Sequence, residues 1–254
     1  SDLTAVSALD LLGADYRFAT TLQASGEPDD SASVKNIYIR GGMDPLFGRD
    51  DLRSIIDALR QYGVRHIAGD VVLDVTMKDT ATLGWGWCWD DKARPLTPLL
   101  YRRGNKFADH LLRALSEAGI TVGGFVRTGV APNSAPIWLM RTHTIDQVLR
   151  PMMKESDNLC AESLFFQLAA LSRRPYATYR DAAAQMSKLI SRWGIAPAEY
   201  KIADGSGLSL YNYVTPELLT LCLRHAYRND EIFQHLYAAL PIMGRDGTLR
   251  SRNR

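Results

Sequence analysis

A serine and an asparagine two residues apart stand at the start of a predicted helix in the second half of the chain. They are Ser156 and Asn158, with Asp157 between them. A serine hydroxyl both donates and accepts hydrogen bonds, and an asparagine amide offers donors and an acceptor, so the pair could relay a proton and anchor a reacting group. The same residue types cap helices, and from the tripeptide alone a cap is the favoured interpretation. A second Ser-x-Asn, at residues 251–253, shows no sign of a site.

Further segments with turn-forming and polar residues follow in order. Asp204 to Ser209 contains two glycines, and its residue types alone predict a tight turn. Val214 to Glu217 comes next, and Gly-Arg-Asp-Gly-Thr-Leu-Arg covers residues 244–250. The order and spacing of these segments shift the balance from a helix cap towards a site.

This succession resembles the class C low-molecular-mass penicillin-binding proteins, the D-alanyl-D-alanine carboxypeptidase/endopeptidase family. Earlier segments extend the resemblance over nearly the whole chain: Asp15 to Phe18 follows the expected helix, Gly42 to Leu46 matches a Gly-x-x-Asp-Pro turn, and Trp85 to Asp91 matches a Trp-rich Asp-Asp stretch. The resemblance implies an α/β (α+β) penicillin-binding/β-lactamase-like transpeptidase fold with an inserted smaller α/β domain.

The same resemblance implies an enzyme, a serine-type DD-peptidase that acts on peptidoglycan stem peptides through an acyl-enzyme. The partners that it implies are peptidoglycan peptides as substrates and β-lactam antibiotics as inhibitors. It implies no metal and no organic cofactor, and a periplasmic or extracytoplasmic location. The choice between carboxypeptidase and endopeptidase, and the diamino acid of the substrate, stay open.

In that family a Ser-x-x-Lys helix, a Ser-x-Asn loop and a Lys-Thr-Gly strand surround one cleft. The resemblance makes Ser156 a proton relay, Asn158 an anchor for the lysine and the substrate carbonyl, and Ser206 a weak candidate for substrate binding. Neither Ser-x-x-Lys nor Lys-Thr-Gly occurs among the 254 residues. Counted without gaps, the family's lysine falls on Ser1 and the nucleophile upstream of it. A slipped alternative takes Ser1 to Thr4 as a decayed Ser-x-x-Lys.

Two other functions remain open at this point. One is a non-catalytic cell-wall-binding or assembly protein of the same fold that has lost its nucleophile. The other is a β-lactamase-like hydrolase, against which the α/β insert and the loop from Asp204 to Ser209 speak. The residues encoded before Ser1 and after Arg254 would discriminate between the peptidase and the non-catalytic protein.

Composition agrees with a globular protein and excludes little else. The chain is 46% hydrophobic and 23% charged, with a net charge of +2. It has no basic stripe interleaved with aromatic residues, the pattern that would indicate nucleic-acid binding. We expect the basic cluster near the end to be solvated; it comprises Arg245, Arg250, Arg252 and Arg254. No apolar run is long enough for a transmembrane segment, and no signal peptide is recognisable.

Hydrophobic periodicity predicts alternating strands and helices in the first half and mostly helices in the second. The predicted strands are residues 34–39 and 70–75. The predicted helices are residues 51–62, with Leu52, Ile55, Ile56 and Leu59 buried, and 106–118, with Phe107, Leu111, Leu112 and Leu115 buried. Later helices are predicted from a Thr144–Gln147 capping box to Lys154, and over 159–170, 181–193 and 216–228.

This pattern predicts a catalytic domain from residues 1–25 and 135–254, interrupted by an inserted α/β domain of residues 26–134. We expect the insert to fold independently and to contribute no acyl-transfer group. If the intervening segment is extended, Trp85, Trp87 and Trp89 project to one side, although a packed aromatic lid is favoured over a glycan-stacking ladder. We expect His143 to be a structural hydrogen-bonded histidine and Cys160 a buried apolar residue.

Overall fold

The structure, a computed structural model, describes residues 1–252, so that Asn253 of the second Ser-x-Asn and Arg254 of the basic cluster lie outside the described residues. Its helices are α1 (Asp2–Leu11), α2 (Arg49–Gln61), α3 (Phe107–Glu117), α4 (Ile145–Lys154), α5 (Asn158–Ala170), α6 (Tyr179–Arg192), α7 (Pro216–Arg228) and α8 (Asp230–Ala239). Its strands are β1 (Arg17–Ala24), β2 (Ser33–Val34), β3 (Ile37–Arg40), β4 (His66–Ile67), β5 (Val71–Asp74), β6 (Thr121–Val122), β7 (Val126–Thr128) and β8 (Ile137–Thr144).

The chain divides into two compact units. The helical unit is formed by Ser1–Arg17, Lys78–Leu96 and the chain from Thr144 onward, and the sheet unit by Phe18–Met77 and Thr97–His143. The sheet unit therefore has wider limits than the predicted insert of residues 26–134 and is interrupted by Lys78–Leu96. Contacts within the helical unit account for that interruption, because the Asp79 amide donates to the Ala177 carbonyl at 2.9 Å. Independent folding of the insert stays a prediction.

The sheet unit contains a five-stranded mixed sheet in the order β7-β5-β3-β1-β8 and a small three-stranded parallel sheet in the order β2-β4-β6. The prediction of one strand over residues 34–39 is wrong, because β2 pairs with β4 whereas β3 pairs with β1 and β5. Asn36 lies at the change of sheet, and its side-chain oxygen accepts from the Asp70 amide at 2.7 Å. That hydrogen bond serves the backbone at a point where the ladder is broken.

Helices α2 and α3 bury their apolar faces in the core of the sheet unit. The predicted buried face of α2 is confirmed, and Gly63 after it has the left-handed φ of 82° expected of a helix-ending glycine. On α3 the prediction is wrong for Leu112, which remains 37% exposed while Phe107, Leu111 and Leu115 are buried. A helix that rests on one side of a sheet buries only one stripe, and Leu112 lies outside it.

We expect Leu59→Ala to lower the free energy of unfolding of the sheet unit by about 2–5 kcal/mol, because Leu59 is completely buried and its truncation leaves a cavity. Leu112→Ala is the matched control and should cost well under about 1 kcal/mol, since its side chain already contacts water. Chemical denaturation of both variants measures the difference. Equal destabilisation by the two substitutions would contradict the assigned core.

The helical unit is built around α5, whose residues Leu159 to Ala169 are buried on every side. The predicted capping box is confirmed at the start of α4, where the Thr144 hydroxyl accepts from the Gln147 amide and the Gln147 side chain accepts from the Thr144 amide. Helix α7 begins after its Thr215 cap as predicted, whereas α8 has no counterpart in the sequence prediction. Within residues 1–252, no helix combines the length and apolar character that membrane crossing requires.

Candidate active site

Ser156 lies in the short connection between α4 and α5. Helix α4 ends at Lys154, and beyond it the Pro151 carbonyl accepts from the Glu155 amide at 3.0 Å and from the Asp157 amide at 3.4 Å. Ser156 itself has φ of +56°, in the left-handed region that costs a residue with a side chain about 1–3 kcal/mol. A glycine would occupy this position without that cost, so the conformation presents the serine hydroxyl at the expense of backbone strain.

Asp157 caps α5, and this role distinguishes it from its neighbours Ser156 and Asn158. Its side chain accepts from the Cys160 amide at 3.0 Å. The side chains of Ser156 and Asn158 are exposed and make no hydrogen bond with any residue in the described part of the chain. The cap interpretation therefore explains Asp157 only, and the exposed Ser156 hydroxyl and Asn158 amide are available to hydrogen-bond a ligand.

The glycine-rich segment at residues 244–250 packs against the last turn of α4. The Lys154 ammonium lies 2.6 Å from an Asp246 carboxylate oxygen and donates to the Leu240 carbonyl at 3.0 Å. This ion pair lowers the pKa of Asp246, chiefly through the hydrogen bond from Lys154. Gly247 has φ of +60°, and a Cβ atom there would clash with the Lys154 carbonyl oxygen. This contact braces α4 two residues before Ser156.

Glu162, one helical turn after Asn158, joins α5 to the loop from Asp204 to Ser209. One of its carboxylate oxygens accepts from the Gly205 amide at 3.0 Å and from the Ser206 amide at 2.8 Å. Its side chain is 1% exposed. Burial, followed by the neighbouring Asp204 charge, raises the pKa of Glu162 to about 7. The loop that carries Ser206 is thus held by a carboxyl group that titrates near neutral pH.

Asp204 is the centre of the same loop and is 5% exposed. One carboxylate oxygen accepts from the Gly207 amide at 2.9 Å and the Asn212 side chain at 2.6 Å. The other accepts from the Ser209 amide at 2.6 Å and the Trp87 indole at 2.9 Å. Donors from the loop, from Asn212 and from the Trp-rich stretch therefore converge on one buried acceptor, which fixes all three in place.

The three tryptophans have three different surroundings, so both the favoured packed lid and the alternative glycan-stacking ladder are wrong. Trp87 donates to Asp204, and Trp85 stacks on Tyr179 with ring centroids 5.6 Å apart. Trp89 is 94% exposed, which also excludes a uniformly packed lid. The segment turns at residues 85–86 and 89–90 instead of running extended, and turns break the alternation on which the ladder depends.

The histidine and cysteine predictions hold. His143 belongs to the sheet unit, where its Nδ1 atom pairs with the buried Asp44 carboxylate, and this partner raises the pKa of His143. Cys160 is completely buried. Among the described residues, no group of three or more His, Cys, Asp or Glu side chains could hold a metal ion.

The sequence interpretation brought Ser156, Asn158 and Ser206 forward but missed Glu162 and Asp204, which organise their surroundings. Glu162 had a readable signal, because a residue four positions after Asn158 shares its helix face. Ser206 donates its backbone amide to Glu162, and its hydroxyl lies 3.5 Å from Asp204. Its hydroxyl also accepts from the Leu208 amide at 3.3 Å. These contacts give Ser206 a place in the structure of the loop, and its role in substrate binding stays a proposal.

Comparison with known proteins supplies the family. The profile of the D-Ala-D-Ala carboxypeptidase 3 (S13) family matches residues 3–100 and 101–254. The D-alanyl-D-alanine carboxypeptidase DacB of Haemophilus influenzae is 24% identical over 332 residues, which cover 98% of this chain and 69% of that protein. Four curated relatives are matched over 59–69% of their own lengths, so the chain spans about two thirds or less of most of them.

Two solved structures share the fold. The crystal structure of penicillin-binding protein 4 (dacB) from Haemophilus influenzae matches with a TM-score of 0.90 at 23% identity, over 99% of this chain and 74% of that one. A second crystal structure of that protein, in complex with a β-lactam, matches with a TM-score of 0.79 at 24% identity over 99% and 72% of the two chains. The predicted penicillin-binding fold is confirmed.

These findings also confirm the predicted enzyme class, a serine-type D-alanyl-D-alanine carboxypeptidase, and do not favour the non-catalytic alternative. The match extends through both compact units and includes the Ser-Asp-Asn junction, the Asp204 loop and the Gly247 segment. The chain belongs to the D-Ala-D-Ala carboxypeptidase 3 (S13) family.

Proposed function

We propose that the protein containing this chain is a serine DD-peptidase that cleaves peptidoglycan stem peptides next to D-alanine and that β-lactams acylate it. The observation that carries the proposal is the Ser156 junction inside a chain of this family. An exposed hydroxyl stands there on a left-handed residue, next to a capping aspartate and an exposed amide. Cell-wall substrates imply action outside the cytoplasm, in the periplasm or its equivalent.

The chemistry assigns a role to each side chain of that junction. A serine of the family's Ser-x-x-Lys helix attacks the peptide carbonyl, the carbon–nitrogen bond breaks, and the leaving amine takes up a proton. The Ser156 hydroxyl passes that proton, because it can accept one hydrogen bond while donating another. Asn158 holds the substrate carbonyl with its amide donors and the lysine with its amide oxygen. Water then hydrolyses the ester and regenerates the serine.

Support for Ser206 comes from the loop that holds it. Glu162 accepts from its backbone amide, and its half-buried hydroxyl is held between the Asp204 carboxylate and the Leu208 amide. Preorganised polar groups bind a substrate with little loss of conformational entropy. We therefore propose Ser206 as a contributor to substrate binding and not as the nucleophile.

Intact-mass measurement after incubation with penicillin tests this function. A longer protein that supplies the Ser-x-x-Lys and Lys-Thr-Gly motifs should gain the mass of one penicillin and release D-alanine from a pentapeptide. The polypeptide of residues 1–254 should do neither, because loss of any member of such a catalytic unit commonly costs several orders of magnitude in rate.

Two results would overturn parts of this proposal. A longer protein that folds and forms no adduct would contradict the peptidase function. A stoichiometric adduct on residues 1–254 that disappears when one serine is replaced would show that the nucleophile has been misplaced, and Ser1 is the first position to test.

A further inference from the structure

Glu162 connects the two parts of the helical unit that carry the proposed site residues. It lies on α5 one turn after Asn158, and the same carboxylate oxygen receives the Gly205 and Ser206 amides. From α1, the Thr4 hydroxyl donates to the Gly205 carbonyl at 2.8 Å, so the loop is held from two helices. Of these two contacts, only the one through Glu162 can change with protonation, because a threonine hydroxyl does not titrate in this range.

We propose that Glu162 is a positioning residue whose ionised carboxylate fixes the Asp204–Ser209 loop relative to the helix of Asn158 and thereby sets the rate of acyl transfer. The inference rests on the DD-peptidase function proposed above. Glu162 acts through the hydrogen bonds that it accepts from the loop and makes no contact with the reacting atoms. Its effect is therefore expected in the pH dependence of the reaction.

The surroundings of Glu162 explain why its pKa is raised to about 7. Burial disfavours the negative charge of Glu162, and the Asp204 carboxylate of the loop acts in the same direction. Lys78, Asp79 and Tyr179 line a cavity of about 180 Å³ together with Glu162 and Asp204. Lys78 is already engaged, because its ammonium binds the Asp79 carboxylate at 2.7 Å and the Asp79 and Ala81 carbonyls. Hydrogen bonds from the Ser206 side chain and from the two loop amides oppose these effects and favour the ionised form.

Ionisation changes how strongly the loop is held. A carboxylate accepts hydrogen bonds about twice as strongly as a neutral carbonyl of the same shape. As pH rises through about 7, the amides of Gly205 and Ser206 gain an ionised acceptor. Glu162→Gln keeps an oxygen of the same size but never ionises, so it reproduces the low-pH state at every pH.

The test compares acylation rates with a fluorescent penicillin between pH 5.5 and 8.5, using the full-length protein. We expect wild type and Glu162→Gln to react at similar rates at pH 5.5. At pH 8.5 wild type should react about threefold to tenfold faster than Glu162→Gln. Glu217→Gln, an exposed first-turn glutamate of α7, is the matched control and should follow wild type throughout. A wild-type to Glu162→Gln ratio that stays within about twofold over the whole range would overturn the inference.

A second measurement separates this inference from the proposed function. Hydrogen exchange at the Gly205 and Ser206 amides, corrected for intrinsic base catalysis, should become slower in wild type relative to Glu162→Gln as pH rises through 7. If no variant is acylated but this exchange difference is present, the proposed function fails and Glu162 still holds the loop. An exchange ratio that does not change with pH would refute the positioning role. If Glu162→Gln does not fold, the pH dependence of exchange at these two amides in wild type decides the question alone.

Discussion

Replacing Ser156 by alanine should slow acylation by a fluorescent penicillin about a hundredfold to ten-thousandfold in a protein with its natural flanking residues, the range typical for loss of a proton-transfer group. The expectation follows from an exposed hydroxyl with no structural hydrogen bond among residues 1–252. Asn158→Ala should slow acylation similarly, because it removes the anchor of the lysine and the carbonyl. Stopped-flow or gel-based labelling measures both rates.

Ser156→Gly separates catalysis from folding. Glycine relieves the strain of the left-handed φ, so this variant should be at least as stable as Ser156→Ala while losing the same hydroxyl. Both variants should be slow. Ser191→Ala, which removes an exposed hydroxyl on α6, should label at the wild-type rate. Wild-type labelling rates in folded Ser156→Ala and Asn158→Ala would reduce the junction to a helix cap.

Asp204→Ala should lower the free energy of unfolding of the helical unit by about 3–5 kcal/mol. The substitution removes the acceptor of the Trp87 indole and of the Ser209 backbone amide, and it leaves the Asn212 side-chain amide only the Ser209 carbonyl at 3.3 Å. Each buried donor without a partner costs about 1–3 kcal/mol, and adjustment of the loop recovers part of the sum. Urea denaturation followed by circular dichroism measures the change.

Two further variants sharpen that test. Asp204→Asn turns an amide donor towards other donors, but it keeps one acceptor oxygen. Because of that oxygen, its destabilisation should be smaller than that of Asp204→Ala. Asp90→Ala, an exposed aspartate in the same Trp-rich stretch as Trp87, should change stability by no more than about 0.5 kcal/mol. Equal stability of Asp204→Ala and Asp90→Ala would contradict the central place of Asp204.

Local sequence determined most of the helices and their ends, α8 excepted, because those depend on neighbouring residues. The capping box at Thr144, the Thr215 cap of α7 and the buried face of α2 were all readable from residue type and spacing. The ordered succession of Ser-Asp-Asn, the Asp204 loop and the Gly247 segment was enough to identify the family and its penicillin-binding fold.

Only the tertiary structure decided which distant residues these and other segments contact. Residues 34–39 form two strands in different sheets, because pairing partners distant in sequence determine sheet membership. The three tryptophans have different surroundings, and the partner of Trp87 is Asp204, more than a hundred residues away in the sequence. The sequence also did not show that Glu162 and Asp204 hold the loop, because their hydrogen-bond partners include residues distant in the sequence. Burial and convergent hydrogen bonds, which follow from contacts across the fold, distinguish a buried acceptor from an ordinary acidic residue.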